Sequence, residues 1–174
     1  MIKIYYTKNQ KGFSLIEMMV VVVILGLMVL GLVTFFTGGT KSWVAGQSQL
    51  KAQREARQAI DRMVREIRHG ELVTGGSINN IAVDIPALEG AGPEYNVTYS
   101  WGGASGNPIY RNTNLLISNV KILDFSYYDN SGGQISPPND TVSKVHIDLQ
   151  VDVDNDGNPD ITLNTDVNLR NFGL

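Results

Sequence analysis

GFSLIEMMVVVVILGLMVLGLVTFF, Gly12 to Phe36, decides the fold. From Phe13 to Phe36 there are 24 residues and one ionisable side chain, Glu17. A helix of that length reaches roughly 36 Å, enough to cross a hydrocarbon core about 30 Å thick. No proline interrupts it. The flank before it carries Lys3, Lys8 and Lys11 and no acid, which places the N-terminus in the cytoplasm and the bulk of the chain outside. An ordinary secretory signal has a shorter apolar core followed by a small-residue cleavage site. Neither is present, so any cut is expected before the run, and an uncut single-span anchor is the simpler alternative. Glu17 argues against that alternative, because a carboxylate in the span costs about 2.5–3.5 kcal/mol and usually has a partner or a task. Snorkelling to the membrane surface from the start of the run is its other option.

Beyond the span, Gly38-Gly39 reads as a soft point, and helical pattern resumes around Ser42 and runs to His69. Ala56, Ile60, Met63, Val64 and Ile67 form one helical stripe, and the opposite face carries arginines. Gly70 ends the segment, with Arg68 and His69 in the last turn, where the helix dipole favours positive charge. As one helix, Phe13 to His69 would extend on the order of 85 Å.

From Glu71 the period changes to two. Ile81, Val83 and Ile85 alternate, as do Tyr95, Val97, Tyr99 and Trp101, and then Leu123, Phe125 and Tyr127; Ile109 to Arg111 is a shorter candidate. Val145, Ile147, Leu149, Val151 and Val153 face one way, and Ile161, Leu163, Thr165, Val167 and Leu169 form a matching face. The turn from Asp154 to Asp160 makes these two a long antiparallel hairpin. Its apolar face needs a cover, which the helical stripe can supply. The fold expected is α+β: a long N-terminal helix, membrane-spanning then amphipathic, packed on an antiparallel β-sheet head.

DVDNDGNPD, Asp152 to Asp160, is the sharpest chemical feature of the head. Asp152, Asp154, Asp156 and Asp160 fall at loop positions one, three, five and nine, with Gly157 at six and Asn158 at seven. That is the first part of an EF-hand type calcium loop, in which position seven donates its backbone carbonyl. Calcium takes six to eight hard oxygen ligands, so alternating carboxylates around a glycine bend suit it. Leu163 stands where the bidentate glutamate belongs, so another oxygen must come from water, a carbonyl or a carboxylate such as Asp166. A solvated Asp/Asn/Gly turn is the competing reading.

The 174 residues hold no cysteine, which excludes a disulfide framework. The net charge of −3 conceals a separation. Lys51 to Arg68 carries +3, whereas Glu71 to the end carries −9. An acidic head is a poor surface for nucleic acid and suits a cation or a basic partner. His69 reads as a helix-end residue and His146 as a surface residue, which leaves little from which to build a catalytic site.

Gly12-Phe13-Ser14-Leu15-Ile16-Glu17, behind a Lys-rich leader and ahead of the apolar run, resembles the N-terminal signature of type IV pilins and their pseudopilin relatives. The resemblance implies that prepilin peptidase cuts between Gly12 and Phe13 and methylates the new amine of Phe13. It also implies that Glu17 neutralises the N-terminal amine of an adjacent subunit as helices bundle into a filament. A buried carboxylate needs such a partner. QREARQAIDRMVREIRHG, then YNVTYSW, IYRN, LLISNVKILDFSYYD and a hairpin closing on VNLRN, is similar in order to the W-type minor pilins and the minor pseudopilin J of type II secretion. The expected organisation is a leader over 1–12, a transmembrane half-helix over 13–36, an amphipathic half over 37–70 and a β-rich head over 71–174. The expected function is structural: a minor subunit held in the bacterial inner membrane, then built into a type IV pilus or type II secretion pseudopilus, in its tip or priming complex. Its partners would be other pilin subunits, the peptidase and membrane lipid. The alternatives are a filament-tip binding module, marked by an exposed aromatic patch at Trp101, Tyr127 or Tyr128, and a non-polymerising membrane-anchored calcium-binding domain.

Overall fold

The computed structural model describes residues 12–86, 94–136 and 141–170. The leader with Lys3, Lys8 and Lys11 lies outside the described residues, as does Asn171 at the end of VNLRN. Two compact units divide the chain, Met1–Gly46 and Gln47–Leu174. The architecture is α+β. One helix, α1 (Leu15–His69), runs 55 residues and continues through Gly38 and Gly39, the soft point of the sequence. Thr34 and Thr37 in that stretch bond back to carbonyls three and four residues earlier, which occupies their hydroxyls inside an apolar environment. The helix is long and apolar enough to cross a membrane.

The head is one antiparallel sheet. Its strands are β1 (Leu72–Ser77), β2 (Asn80–Ile85), β3 (Tyr95–Trp101), β4 (Asn107–Arg111), β5 (Asn114–Tyr128), β6 (Gln134–Ile135), β7 (Lys144–Val151) and β8 (Ile161–Asn168). The spatial order is β1-β2-β3-β4-β5-β7-β8, with β6 beside the end of β5. The sheet curls until the β1–β2 turn meets the C-terminal end of β5. There Phe125 N–H donates to the Ile78 carbonyl at 2.7 Å, and the Tyr127 hydroxyl reaches the carbonyls of Ser77 and Asn80.

Inside the curl lies the stripe of the stem. Ala56, Ala59, Ile60, Met63 and Ile67 are buried against Val83, Tyr99, Leu123, Ile147, Leu149 and their neighbours. Val64, placed on the stripe from sequence, is only partly buried, and Ala59 takes a buried place that the spacing did not single out. The terminal hairpin pairs in unbroken register from Lys144↔Asn168 to Val151↔Ile161. Val153 falls beyond the strand end and is half-buried. Gly70 owes its identity to packing. A Cβ there would lie 2.2 Å from Val83 Cγ1, and its N–H closes the helix on the Ile67 carbonyl at 3.0 Å.

Candidate functional site

The N-terminal segment comes first in the chain. Gly12 and Phe13 precede α1 and are exposed. Glu17 stands in the first helical turn, where the exposed N–H groups favour a negative charge. Ser14-Leu15-Ile16-Glu17 has capping-box spacing, yet among the described residues no bond joins the Ser14 and Glu17 side chains to the turn. No described residue neutralises the Glu17 carboxylate either. Among the described residues, the arrangement presents one acid without an ionic partner in an apolar surface.

The second feature is the hairpin tip. Asp152 is 2% exposed, the one buried charged side chain among the described residues. Its two oxygens accept the N–H groups of Asn155 at 2.8 Å and Gly157 at 2.9 Å. Asn155 and Gly157 both have positive φ, 63° and 90°, which lets the tip fold back on that carboxylate. Asp154 accepts the Asp156 N–H at 3.2 Å, and Asp156 accepts the Asn158 N–H at 2.7 Å. The bond from the Asn158 N–H, the Asn158 side chain and the charge of Lys121 hold the Asp156 carboxyl below its usual range. Ligand oxygens of Asp152, Asp154 and Asp156 lie within 4.8 Å of one another. Asp160 is turned elsewhere: it accepts the Val153 N–H at 2.7 Å and the Gln49 amide at 3.0 Å, tying the tip to the stem. Lys121 donates its ammonium to the Gly157 carbonyl. Asp166 pairs with His146 at 2.6 Å, five ladder positions from the strand end, about 17 Å from the tip. It therefore does not supply the missing oxygen. Three convergent carboxylates are a hard-oxygen donor set of the kind calcium takes.

Sequence reasoning missed a third feature. Glu66, on the flank of the buried stripe, accepts the Tyr99 hydroxyl at 2.6 Å, the Arg111 Nε at 2.8 Å and the Arg62 Nε at 3.2 Å. Burial pushes this carboxyl up, but the bonds from Arg111, Tyr99 and Arg62 outweigh it and hold the group below its usual value. Burial and the Glu66 charge push the Tyr99 hydroxyl well up, so it stays a donor. The cluster fixes the rotation of the stem against β3 and β4. Its only sequence signal is an acid beside the apolar stripe.

The three aromatics do not form the exposed patch that the binding reading requires. Tyr127 is buried, Trp101 packs against the core, and Tyr128 is half-buried under the Lys144 ammonium, 4.5 Å from the ring centre.

Residues 7–33 match the family model described as the prokaryotic N-terminal methylation motif. No curated protein matches the chain.

Proposed function

We propose, on the premise that this chain carries the type IV pilin and pseudopilin signature, that it is a structural subunit of a filament. The motif supports the reading of a pilin-like substrate of prepilin peptidase and points to a structural rather than an enzymatic protein. The cut falls between Gly12 and Phe13, and the methylated amine of Phe13 becomes the partner of Glu17 in a neighbouring subunit. Before assembly α1 holds the chain in the inner membrane with its head outside. The machine is a type IV pilus or a type II secretion pseudopilus, and the place of this subunit is in a tip or priming complex, as the likeness to W-type minor pilins and pseudopilin J suggests.

The observation that carries this reading is Glu17, without a partner among the described residues, in a helix that is otherwise apolar at its start. Alone in a bilayer, that carboxylate is a cost; beside a neighbour's ammonium it becomes half of an ion pair. Calcium belongs to the same reading as a structural ion at the hairpin tip. Asp152, Asp154 and Asp156 would hold it, with the Asn158 carbonyl and Asp160 as the remaining candidates.

The test is the mass of the mature chain and of its N-terminal peptide after co-expression with a prepilin peptidase. A chain beginning at N-methylated Phe13 is the expected result. A chain that keeps Met1 to Gly12, where a known prepilin is cut, would leave an ordinary membrane anchor and return the function to the head.

A further inference from the structure

The stem carries a second stripe. Arg54, Arg57, Asp61, Arg65 and Arg68 follow one another at spacings of three, four, four and three, and all are exposed. That spacing keeps them on one helix face. At 3.6 residues per turn this face points roughly 145° away from the buried side chains of the same helix. Arg65 rests its Nε on the Asp61 carbonyl at 3.2 Å. Among the described residues, no carboxylate pairs with Arg54, Arg57 or Arg68. The two arginines engaged by Glu66, Arg62 and Arg111, lie off this stripe. Lysine would serve a merely solvated face equally well; arginine is the residue whose planar fork matches carboxylates.

The complementary surface is on the head. On the outer face of the sheet Asp124 lies directly opposite Asp148 across β5 and β7. Like charges so placed repel, and no described cation compensates them. The Asp148 Oδ1 is buried and has no hydrogen-bond partner. Burial and the Asp148 charge together push the Asp124 carboxyl up. Asp166 is in the next row, shared there with His146 and, at 3.9 Å, with Lys144, and Asp154 and Asp156 stand at the tip of the same hairpin beside Lys121. From the Asp166 row to the strand end is about 17 Å, and the loop extends it further. The arginine stripe spans about 21 Å. The two strips are similar in length and, with no calcium at the tip, oppose in net sign: Asp124, Asp148, Asp154, Asp156 and Asp166 outnumber Lys121 and Lys144 on the head, and four arginines outnumber Asp61 on the stem.

We propose that the arginine stripe of one subunit docks on the carboxylate face of β5, β7 and β8 in a second copy of this chain. The inference rests on the assembly reading above and not on a tip position. The two patches differ, so the contact is heterologous: each subunit offers one donor strip and one acceptor strip. Contacts of that kind propagate into open helical arrays unless the rotation closes.

The chain has no cysteine, so an introduced pair reports without background. Two differently tagged full-length copies, one with Arg57→Cys and the other with Asp148→Cys, are co-expressed with prepilin peptidase and oxidised in the membrane. The expected product is a dimer carrying both tags, in clear excess over a control pair of Arg57→Cys with Thr74→Cys. Reversing Arg54, Arg65 and Arg68 to Glu in the first copy should cut the yield on the order of tenfold, because like charges then meet. Thermal unfolding of the triple variant shows whether the head still folds, and the single Arg65→Glu replaces it if it does not. Dimers no more abundant than the control overturn the proposal, as does a yield indifferent to charge reversal. Crosslinking of Arg57→Cys to a different pilin-like protein alone overturns the second copy as occupant. If Phe13 is the mature N-terminus in these membranes and no dimer forms, only this inference falls. An unprocessed chain removes the assembly reading and this inference with it.

Discussion

Glu66 shows what one side chain can decide and why a sequence conceals it. In QREARQAIDRMVREIRHG it is one acid among arginines, the ordinary look of a solvated helix face. Its partners Tyr99 and Arg111 are 33 and 45 residues away, and no local spacing announces them. Glu66→Gln keeps the shape and removes the charge. Hydrogen bonds to a charged group contribute more than neutral ones, so the variant is expected to lose about 1–3 kcal/mol of stability. The pH dependence has a definite sign. The folded carboxyl titrates below the ordinary glutamate range, so its contribution is complete above that range and disappears as the pH falls through the lower, folded value. Melting curves of wild type and variant should therefore lie apart at neutral pH and converge in acid. A gap of constant size down to the folded value would show that Glu66 acts by packing alone. Glu17 is the opposite case: its oddity was plain in the sequence because a single acid in an apolar run has no bland company.

Among the elements, the hairpin of β7 and β8 was legible because Val145, Ile147, Leu149 and Val151 alternate without interruption. β1 was not, because LVTGGS offers two glycines and a bulge between Val73 and Gly75 in place of alternation. The first half of β5 was hidden for a related reason, since the register shifts between Val120 and Ile122 and reverses which side chains point inward. β6 is two residues long and has no pattern to read. The outer face of β5 and β7 yields a prediction with the sign opposite to that of Glu66. Asp124 is raised by burial and by Asp148, so its ionised form costs stability, which returns as the pH falls through the raised folded value and is fully regained below the ordinary carboxylate range. Asp124→Asn should therefore stabilise the head, by a few tenths to about 1 kcal/mol. The gain should open as the pH rises through the folded value and vanish well below it. If the variant melts lower than wild type at neutral pH, the two carboxylates do not repel as placed. The stabilised variant should also dock less well on the arginine stripe, since a cost in the lone subunit is then a device for recognition.

The hairpin tip combines a legible part with a hidden one. The order of Asp152, Asp154, Asp156 and Gly157 was visible, but the turning of Asp160 toward Gln49 and the approach of Lys121 were not. If calcium enters at the extracellular-type affinity of about 10⁻⁴–10⁻³ M, a tenfold excess over Kd should stabilise the folded state by about 1.4 kcal/mol. Melting with and without calcium measures this, and an Asp154→Ala, Asp156→Ala variant should lose the shift. An equal shift in wild type and variant would reduce calcium to a general salt effect on an acidic head.

At the scale of the whole molecule, the unit boundary separates two kinds of helix surface. Residues 15 to 44 expose nearly every apolar side chain they have, whereas the buried stripe begins beyond Gln47, at Ala56. The sequence showed the two regimes of α1 and placed a soft point at Gly38-Gly39, through which the helix runs unbroken. The boundary predicts where the chain can be cut. A fragment of residues 47–174 keeps Gln49 for Asp160, the Glu66 cluster, and the stripe that fills the curl of the sheet. It should fold alone, stay soluble and unfold in one cooperative transition. A fragment that begins at Glu71 loses Ile60, Met63 and Ile67, each contributing about 1.5–3 kcal/mol by burial. That loss is comparable with the ~5–15 kcal/mol that holds a whole domain together. It also uncovers Val145, Ile147 and Leu149, so this shorter fragment should aggregate or remain unfolded. Circular dichroism and gel filtration of the two fragments decide the matter. A well-folded 71–174 would mean that the sheet closes its own core and that the stem is only a handle, and a 47–174 fragment that fails to fold would mean that the head depends on the membrane half of the helix.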